Sequence, residues 1–325
     1  MTTLGAPLLV VKDLRTYFYS NRGVLKAVDG VSLTVDENEV FCIIGETGCG
    51  KSVTALSVMR LIPYPGKILN GSILFRGVDL LKLSEGEMQR IRGKEIAMIF
   101  QNPMKSLNPV FNIGYQISEP PIIHFGLPSN EAWKQSIDLI EKVKIPDPQL
   151  RAKNYPHTLS GGMKQRSMIA MMISCEPKLL IADEPTTALD VTVQAQIMHL
   201  LLDIKKQHGM SIMLITHNFG LVAETGDKVA VMYCGKIVES GTVKDVFQEP
   251  IHPYTQGLLK CIPVGFEHKK EIDYIPGTLP NPLNPPLGCR FHPRCKQATK
   301  KCVTEEPQLI EIGNGHMVAC HINGG

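Results

Sequence analysis

The sequence predicts an α/β fold: a largely parallel sheet buried on both faces, a smaller antiparallel sheet, a helical insert and an irregular tail. Three observations predict it. Short runs at Val40–Ile44, Ile96–Phe100, Leu179–Ala182, Ile212–Thr216 and Val229–Tyr233 are apolar at nearly every position, as strands covered on both faces are. Helical patterns alternate with these runs. The last 80 of the 325 residues hold 10 of the 23 prolines and few periodic apolar positions.

Along the chain, Leu8–Leu14 and Val31–Val35 alternate, and Gly71–Phe75 followed by Arg76-Gly77 reads as a hairpin. These predict the antiparallel sheet. Between Gln101 and about Ser174 the strand signal fades, and Glu131–Lys144 and Gly162–Ile173 read as helices. Residues 102–174 are therefore taken as a helical insert. Val193, Ile197, Leu201 and Ile204 recur at spacings of three and four until Gly209, a residue type that ends helices. Residues 1–245 are read as one domain and 246–325 as an extension.

Hydrophobic residues at 43% and charged residues at 20% support a sizeable core and exclude global disorder. A net charge of +3 is too mild for a nucleic-acid groove. No run approaches the roughly 20 apolar residues of a membrane span. Met1–Pro7 lacks a basic stretch followed by an apolar one, so no secretory signal is read. The nine cysteines are then expected in a reducing compartment, without a disulfide framework.

Gly45-Glu46-Thr47-Gly48-Cys49-Gly50-Lys51-Ser52 fits the phosphate-loop pattern G-x-x-x-x-G-K-[ST]. It follows the apolar strand Val40–Ile44 and precedes a helix-compatible run with Ala55, Leu56, Val58 and Met59. The glycines let backbone N–H groups turn inward as an anion nest at the positive end of that helix. Lys51 is expected to reach the β- and γ-phosphates, and the Ser52 hydroxyl to bind Mg²⁺. Cys49, a thiol inside the loop, is expected to make the protein sensitive to alkylating agents. A second apolar strand ends in Asp183-Glu184, which sets two carboxylates at the sheet edge where open α/β sheets bind ligands. Asp183 suits the Mg²⁺ hydration shell, and Glu184 is placed to polarise an attacking water.

Leu159-Ser160-Gly161-Gly162-Met163-Lys164-Gln165-Arg166 narrows the class. Here residues 8–245 resemble the ATP-binding cassette family, whose signature is LSGGQ; this chain has Met163 where the family usually has Gln. The resemblance implies a P-loop NTPase with a RecA-like parallel-sheet core. Gln101 follows its strand as the Q-loop glutamine does, and Thr187-Ala188-Leu189-Asp190 resembles the D-loop. His217 follows its strand as the switch histidine does. The resemblance implies catalytic roles for Lys51, Gln101, Glu184 and His217, and Mg²⁺ contacts from Ser52, Gln101 and Asp183. It implies that adenine stacks on an aromatic residue before the loop. Tyr17, Phe18 and Tyr19 are available; Phe18 aligns best and Tyr19 is the alternative. It also implies that the Ser160 turn, with Gly161 and Gly162, faces the γ-phosphate held by a partner cassette, so that ATP is sandwiched in a dimer.

Two further stretches, Asn102-Pro103-Met104-Lys105-Ser106-Leu107-Asn108-Pro109 and Tyr155-Pro156-His157-Thr158, are similar to those of peptide importers. So is the tail, with His252-Pro253-Tyr254 and Gly288-Cys289-Arg290-Phe291-His292-Pro293-Arg294-Cys295, then Cys302 and Cys320. From residue type alone, four thiols at C-x5-C-x6-C-x17-C spacing suit a soft metal site, zinc or iron–sulfur. The resemblance favours a [4Fe–4S] cluster, with Arg290 and Arg294 offsetting its negative charge. Such a staple is expected because ordering each residue costs about 1–2 kcal/mol of backbone entropy, which a proline-rich tail buries too little to offset.

Two functions are carried forward. One is the energising ATPase of a membrane importer for di- or oligopeptides, with nickel or glutathione as other cargo. Its implied partners are two permease subunits, a second ATPase that is a paralogue or self, and indirectly an extracytoplasmic peptide-binding protein, with no nucleic acid. It would sit on the cytoplasmic face of the membrane. The other is a soluble cassette ATPase acting on nucleic acid or the ribosome.

Overall fold

The computed structural model describes residues 6–102, 106–186, 190–261 and 275–322, except the side chain of Val191. It divides into two compact units, Met1–Leu81 with Ile215–Gly325, and Lys82–Leu214.

The first unit begins with β1 (Leu9–Ser20), β2 (Gly23–Val35), β3 (Val40–Ile44), α1 (Lys51–Val58), β4 (Gly66–Phe75) and β5 (Val78–Asp79). The alternating strands form the expected antiparallel sheet, in the order β2-β1-β4-β5. The apolar run Val40–Ile44 is β3 and is buried at every position.

The second unit holds α2 (Glu85–Ile91), β6 (Ile96–Ile99), α3 (Ile113–Phe125), α4 (Ser129–Lys142), α5 (Pro148–Ala152), α6 (Gly161–Ile173), β7 (Leu179–Asp183), α7 (Val191–His208) and β8 (Ser211–Ile215). β6 and β7 run parallel, Ile96 opposite Leu179 and Ile99 opposite Ala182. The helical insert is present as α3 to α6. Gly209, in the left-handed region, ends α7 as its residue type predicts.

The chain then returns to the first unit with α8 (Phe219–Thr225), β9 (Lys228–Tyr233), β10 (Lys236–Thr242), α9 (Val243–Gln248), α10 (Pro253–Lys260), α11 (Lys300–Thr304), β11 (Ile310–Gly313) and β12 (His316–Val318). Within this unit the strand order is β11-β12-β10-β9-β3. β3 pairs parallel with β9, and the β9–β10 and β10–β12 pairs are antiparallel.

Long stretches of the extension are irregular, as expected. Its end, however, adds the β11–β12 hairpin to the sheet, closed by Asn314-Gly315 with φ of 50° and 76°, the left-handed pair that tight hairpins require. The extension also buries rings: Tyr254 lies 4.6 Å from Tyr233, and Phe291 meets Tyr233 edge-on at 5.3 Å. Strand pairing and this aromatic cluster supply ordering contacts beyond those read from the prolines and cysteines.

Glu239 on β10 anchors the same region. Its fully buried carboxylate accepts from Ile251 N at 2.8 Å, His252 N at 2.9 Å and His316 Nε2 at 2.8 Å. Glu239→Leu strands these donors and is expected to cost about 3–5 kcal/mol, the range for breaking one side of a buried charged network. Glu239→Gln keeps an acceptor and should cost less. Denaturant midpoints of the two variants check this; equal losses would contradict it.

Candidate functional site

In the first unit the phosphate loop links β3 to α1. Gly45 has φ 147° and Gly50 φ 109°. A Cβ at Gly45 would stand 2.2 Å from Met232 O, and one at Gly50 2.3 Å from Ala27 O. Only glycine fits at either position. Lys51 is buried, and its Nζ donates to Gly45 O at 2.7 Å and Glu46 O at 3.1 Å. The ammonium therefore lies within the loop. Together with positive-φ glycines opening a helix, this donor set suits a phosphate anion. Ser52 is exposed on the first turn of α1, and Val53 half-buried. Thr216 N donates to Ile43 O at 3.2 Å, which sets the following residue, His217, at the β3 edge from which the loop springs.

The aromatic residues before the loop differ in setting. The Tyr17 hydroxyl donates to Asp29 Oδ1 at 2.6 Å. Phe18 is half-buried and packs against Gly66, where a Cβ would come within 2.6 Å of its ring. Tyr19 is 42% exposed.

Cys49 corrects an expectation. Its thiol faces inward and is 1% exposed. Burial pushes it above the ordinary thiol range, and Lys51 Nζ at 3.8 Å opposes this only in part. Thiolate is the reactive form, so Cys49 is expected to resist iodoacetamide in the folded protein and to react on denaturation. Peptide mapping by mass spectrometry checks this; native labelling as fast as in denaturant would contradict it.

In the second unit Asp183 ends β7 and is buried, and Glu184 follows with φ 46°. A left-handed backbone at a non-glycine residue costs about 1–3 kcal/mol and clusters at functional sites. Gln101 Nε2 donates to Glu184 Oε2 at 2.9 Å, joining two residues separated by the whole helical insert. Ser160 caps α6, its Oγ accepting from Met163 N at 3.3 Å, and Ser160 and Gly161 are exposed. Asp190 caps α7, accepting from Val193 N at 3.0 Å. Thr187, Ala188 and Leu189 lie outside the described residues, as do Pro103, Met104 and Lys105.

The four tail cysteines converge loosely. Cys289 is pushed up to about 11, first by burial and then by the charges of Cys302, Cys320 and Cys295. Cys295 is raised by burial, then by Cys320 and Cys302. Cys302 Sγ lies 3.3 Å from Thr299 Oγ1. Among the described residues, no group of three or more His, Cys, Asp or Glu is placed to hold a metal ion. The thiols are near enough to feel one another's charge. The expected role of the arginines also changes. Arg290 pairs with Asp29 and Cys234 O, and Arg294 with Glu46 of the phosphate loop. Both answer partners far back in the chain rather than thiolates.

The motifs escaped one partner of the loop. The Tyr254 hydroxyl, brought in by α10, accepts from Glu46 N at 2.9 Å. The His252-Pro253-Tyr254 stretch marked this segment, but nothing in it named Glu46.

A glycine nest with its lysine between a buried strand and a helix defines a P-loop nucleoside triphosphatase, and a second buried strand ending in paired carboxylates accords with that class. Residues 28–187 match the family model described as "ABC transporter", and residues 238–302 the one described as "Oligopeptide/dipeptide transporter, C-terminal region". The chain is 48% identical over 316 residues to "Oligopeptide transport ATP-binding protein AppD" of Bacillus subtilis, covering 97% of this chain and 96% of the relative. It is 49% identical over 314 residues to "Dipeptide transport ATP-binding protein DppD" of Haemophilus influenzae, covering 97% and 95%. A dimeric ATP-binding cassette solved in a post-hydrolysis state with ADP and Pi matches with TM-score 0.66 at 23% identity, over 72% of this chain and 98% of that one; this likeness shows the fold. The chain belongs to the ABC transporter family, as one of its ATP-hydrolysing subunits. Its cassette carries the family's oligopeptide/dipeptide C-terminal region.

Proposed function

We propose that this ATPase energises a membrane importer of di- and oligopeptides. The likeness to named peptide-transport ATPases runs through the extension as well as the cassette, and this observation carries the reading. A soluble role on nucleic acid or the ribosome, or nickel or glutathione import, draws no support from it.

In this reading Lys51 and loop N–H groups between Thr47 and Val53 hold the phosphates, within the loop that runs from Gly45. Ser52, Gln101 and Asp183 would hold Mg²⁺ when it is bound, and the ion would supply positive charge to offset that of the phosphates. Glu184 polarises the attacking water, and Gln101 and His217 position it. Phe18, packed against Gly66, stacks the adenine; Tyr19 is the alternative. The Ser160-Gly161-Gly162 turn, exposed at Ser160 and Gly161, and Asp190 serve a nucleotide held by a second cassette, identical or paralogous. Catalysis is then mostly positioning and charge stabilisation, with part of the donors arriving from the partner. ATP favours the closed dimer, and loss of the γ-phosphate releases it.

In this reading the permease is made of two other chains. Among the described residues no helix is long and apolar enough to cross a membrane. The chain works peripherally on the cytoplasmic face. Its permease-docking surface includes Val110, exposed at 69%, and the stacked rings of Phe111 and Tyr115 at 4.8 Å. Expression with the membrane subunits from the same source should recover a complex, and recovery of the ATPase alone would argue against the reading. A [4Fe–4S] cluster at Cys289, Cys295, Cys302 and Cys320 belongs to the same reading; its support is the residue type and the mutual charge coupling of the thiols. Anaerobically purified protein should then hold about four irons per chain. One zinc, or no metal, would remove the cluster and leave the ATPase reading intact.

A further inference from the structure

The extension grips the phosphate loop at both ends of one residue. Arg294 donates to the Glu46 carboxylate through both terminal nitrogens, at 2.7 and 3.0 Å. Tyr254 Oη accepts from Glu46 N at 2.9 Å. The extension itself fixes the guanidinium: Nε donates to Pro276 O at 3.0 Å, and a terminal nitrogen donates to Ile275 O at 3.4 Å. The Tyr233 hydroxyl lies 3.4 Å away and its ring centroid 5.8 Å away. The Arg294 side chain is 5% exposed and that of Glu46 26%.

This arrangement has an electrostatic consequence. Glu46 is the second residue of a loop whose N–H groups bind an anion. A carboxylate on so short a loop lies within about one Debye length of that anion. Unpaired, it would repel the phosphates; paired with a guanidinium held in a fixed fork, its charge is cancelled without loss of the loop's shape. We propose that Arg294 is a positioning residue for ATP: the extension neutralises Glu46 and fixes the loop, and so sets the nucleotide affinity of the cassette. The inference rests on the reading that this loop binds ATP.

The sign of the effect separates this role from a structural ion pair. Arg294→Gln leaves the carboxylate uncompensated and should weaken binding. Glu46→Gln leaves the guanidinium and should bind at least as well as the unaltered chain. Glu46→Gln combined with Arg294→Gln removes both charges and should return to within about threefold. The full-length chain and these variants are titrated with AMP-PNP and Mg²⁺ by calorimetry. Arg294→Gln is expected to raise Kd about five- to tenfold, as a unit charge near a doubly charged ligand does in a largely aqueous setting. That deficit should shrink as KCl is raised from about 0.05 to about 0.5 M. Equal weakening in all three variants, a deficit insensitive to salt, or no change in Arg294→Gln would overturn the inference. If Arg294→Gln does not fold, Glu46→Gln alone decides: weaker binding overturns the proposal and equal or tighter binding supports it. Failure of the unaltered chain to bind AMP-PNP would instead strike the ATP reading itself.

Discussion

Glu184→Gln is expected to keep ATP binding and to lose turnover by about 10²–10⁴-fold, the range a positioned general base contributes. The substitution is nearly isosteric. The side-chain oxygen that accepts from Gln101 Nε2 at 2.9 Å is retained in kind, so the local arrangement should persist. What disappears is the carboxylate able to draw a proton from water. The backbone supports a functional assignment for this position: φ 46° is a conformation that glutamate adopts only at a cost, and a strand that merely met solvent would not need it. Nucleotide binding by calorimetry and phosphate release under steady state separate the two effects. Retained steady-state hydrolysis would refute the role given to Glu184, and lost binding would mean that the residue shapes the site instead.

Gly50→Ala is expected to abolish ATP binding and to lower stability sharply, whereas Gly48→Ala should leave a folded protein. Both positions are in the left-handed region, φ 109° and 82°, so both substitutions carry a backbone cost of about 1–2 kcal/mol. They differ in surroundings. A Cβ at Gly50 meets Ala27 O at 2.3 Å, backbone that cannot step aside, whereas one at Gly48 meets nothing within 4 Å. Gly50 is also the N-cap of α1, so any shift there moves the N–H groups that the phosphates require. Thermal unfolding and nucleotide titration of the pair isolate the clash from the backbone conformation. Equal behaviour of the two variants would contradict this account of the loop.

The parts of the molecule that local physics determines were legible in the residues. Val40–Ile44 could be read as a buried strand because apolarity at every position has few other uses. Gly209 could be read as a stop because the helix needed a left-handed residue there. Contacts between distant positions were not legible. The Arg294–Glu46 pair spans 248 residues, and no spacing rule encodes it. From sequence the two arginines beside the cysteines therefore read as cluster counter-charges, whereas in the fold they pair with Asp29 and Glu46. Burial was equally hidden: Cys49 sits in an accessible-looking motif, yet its thiol turns under the loop. The β11–β12 hairpin lies between these cases. Asn314-Gly315 is a strong turn signal, but β11 is exposed along its whole length and only its pairing with β12, itself laid on β10, makes it a strand.

The central claim is that ATP hydrolysis by this chain powers peptide import through membrane subunits that it does not itself contain. Peptide uptake into proteoliposomes tests it most directly, using the assembled transporter with its permease subunits, partner ATPase and peptide-binding protein. Uptake of a labelled dipeptide or short oligopeptide should require ATP, and should disappear when this subunit carries Glu184→Gln. Undiminished uptake with Glu184→Gln would contradict the account. So would an ATPase activity stimulated by nucleic acid or ribosomes but not by the permease and peptide.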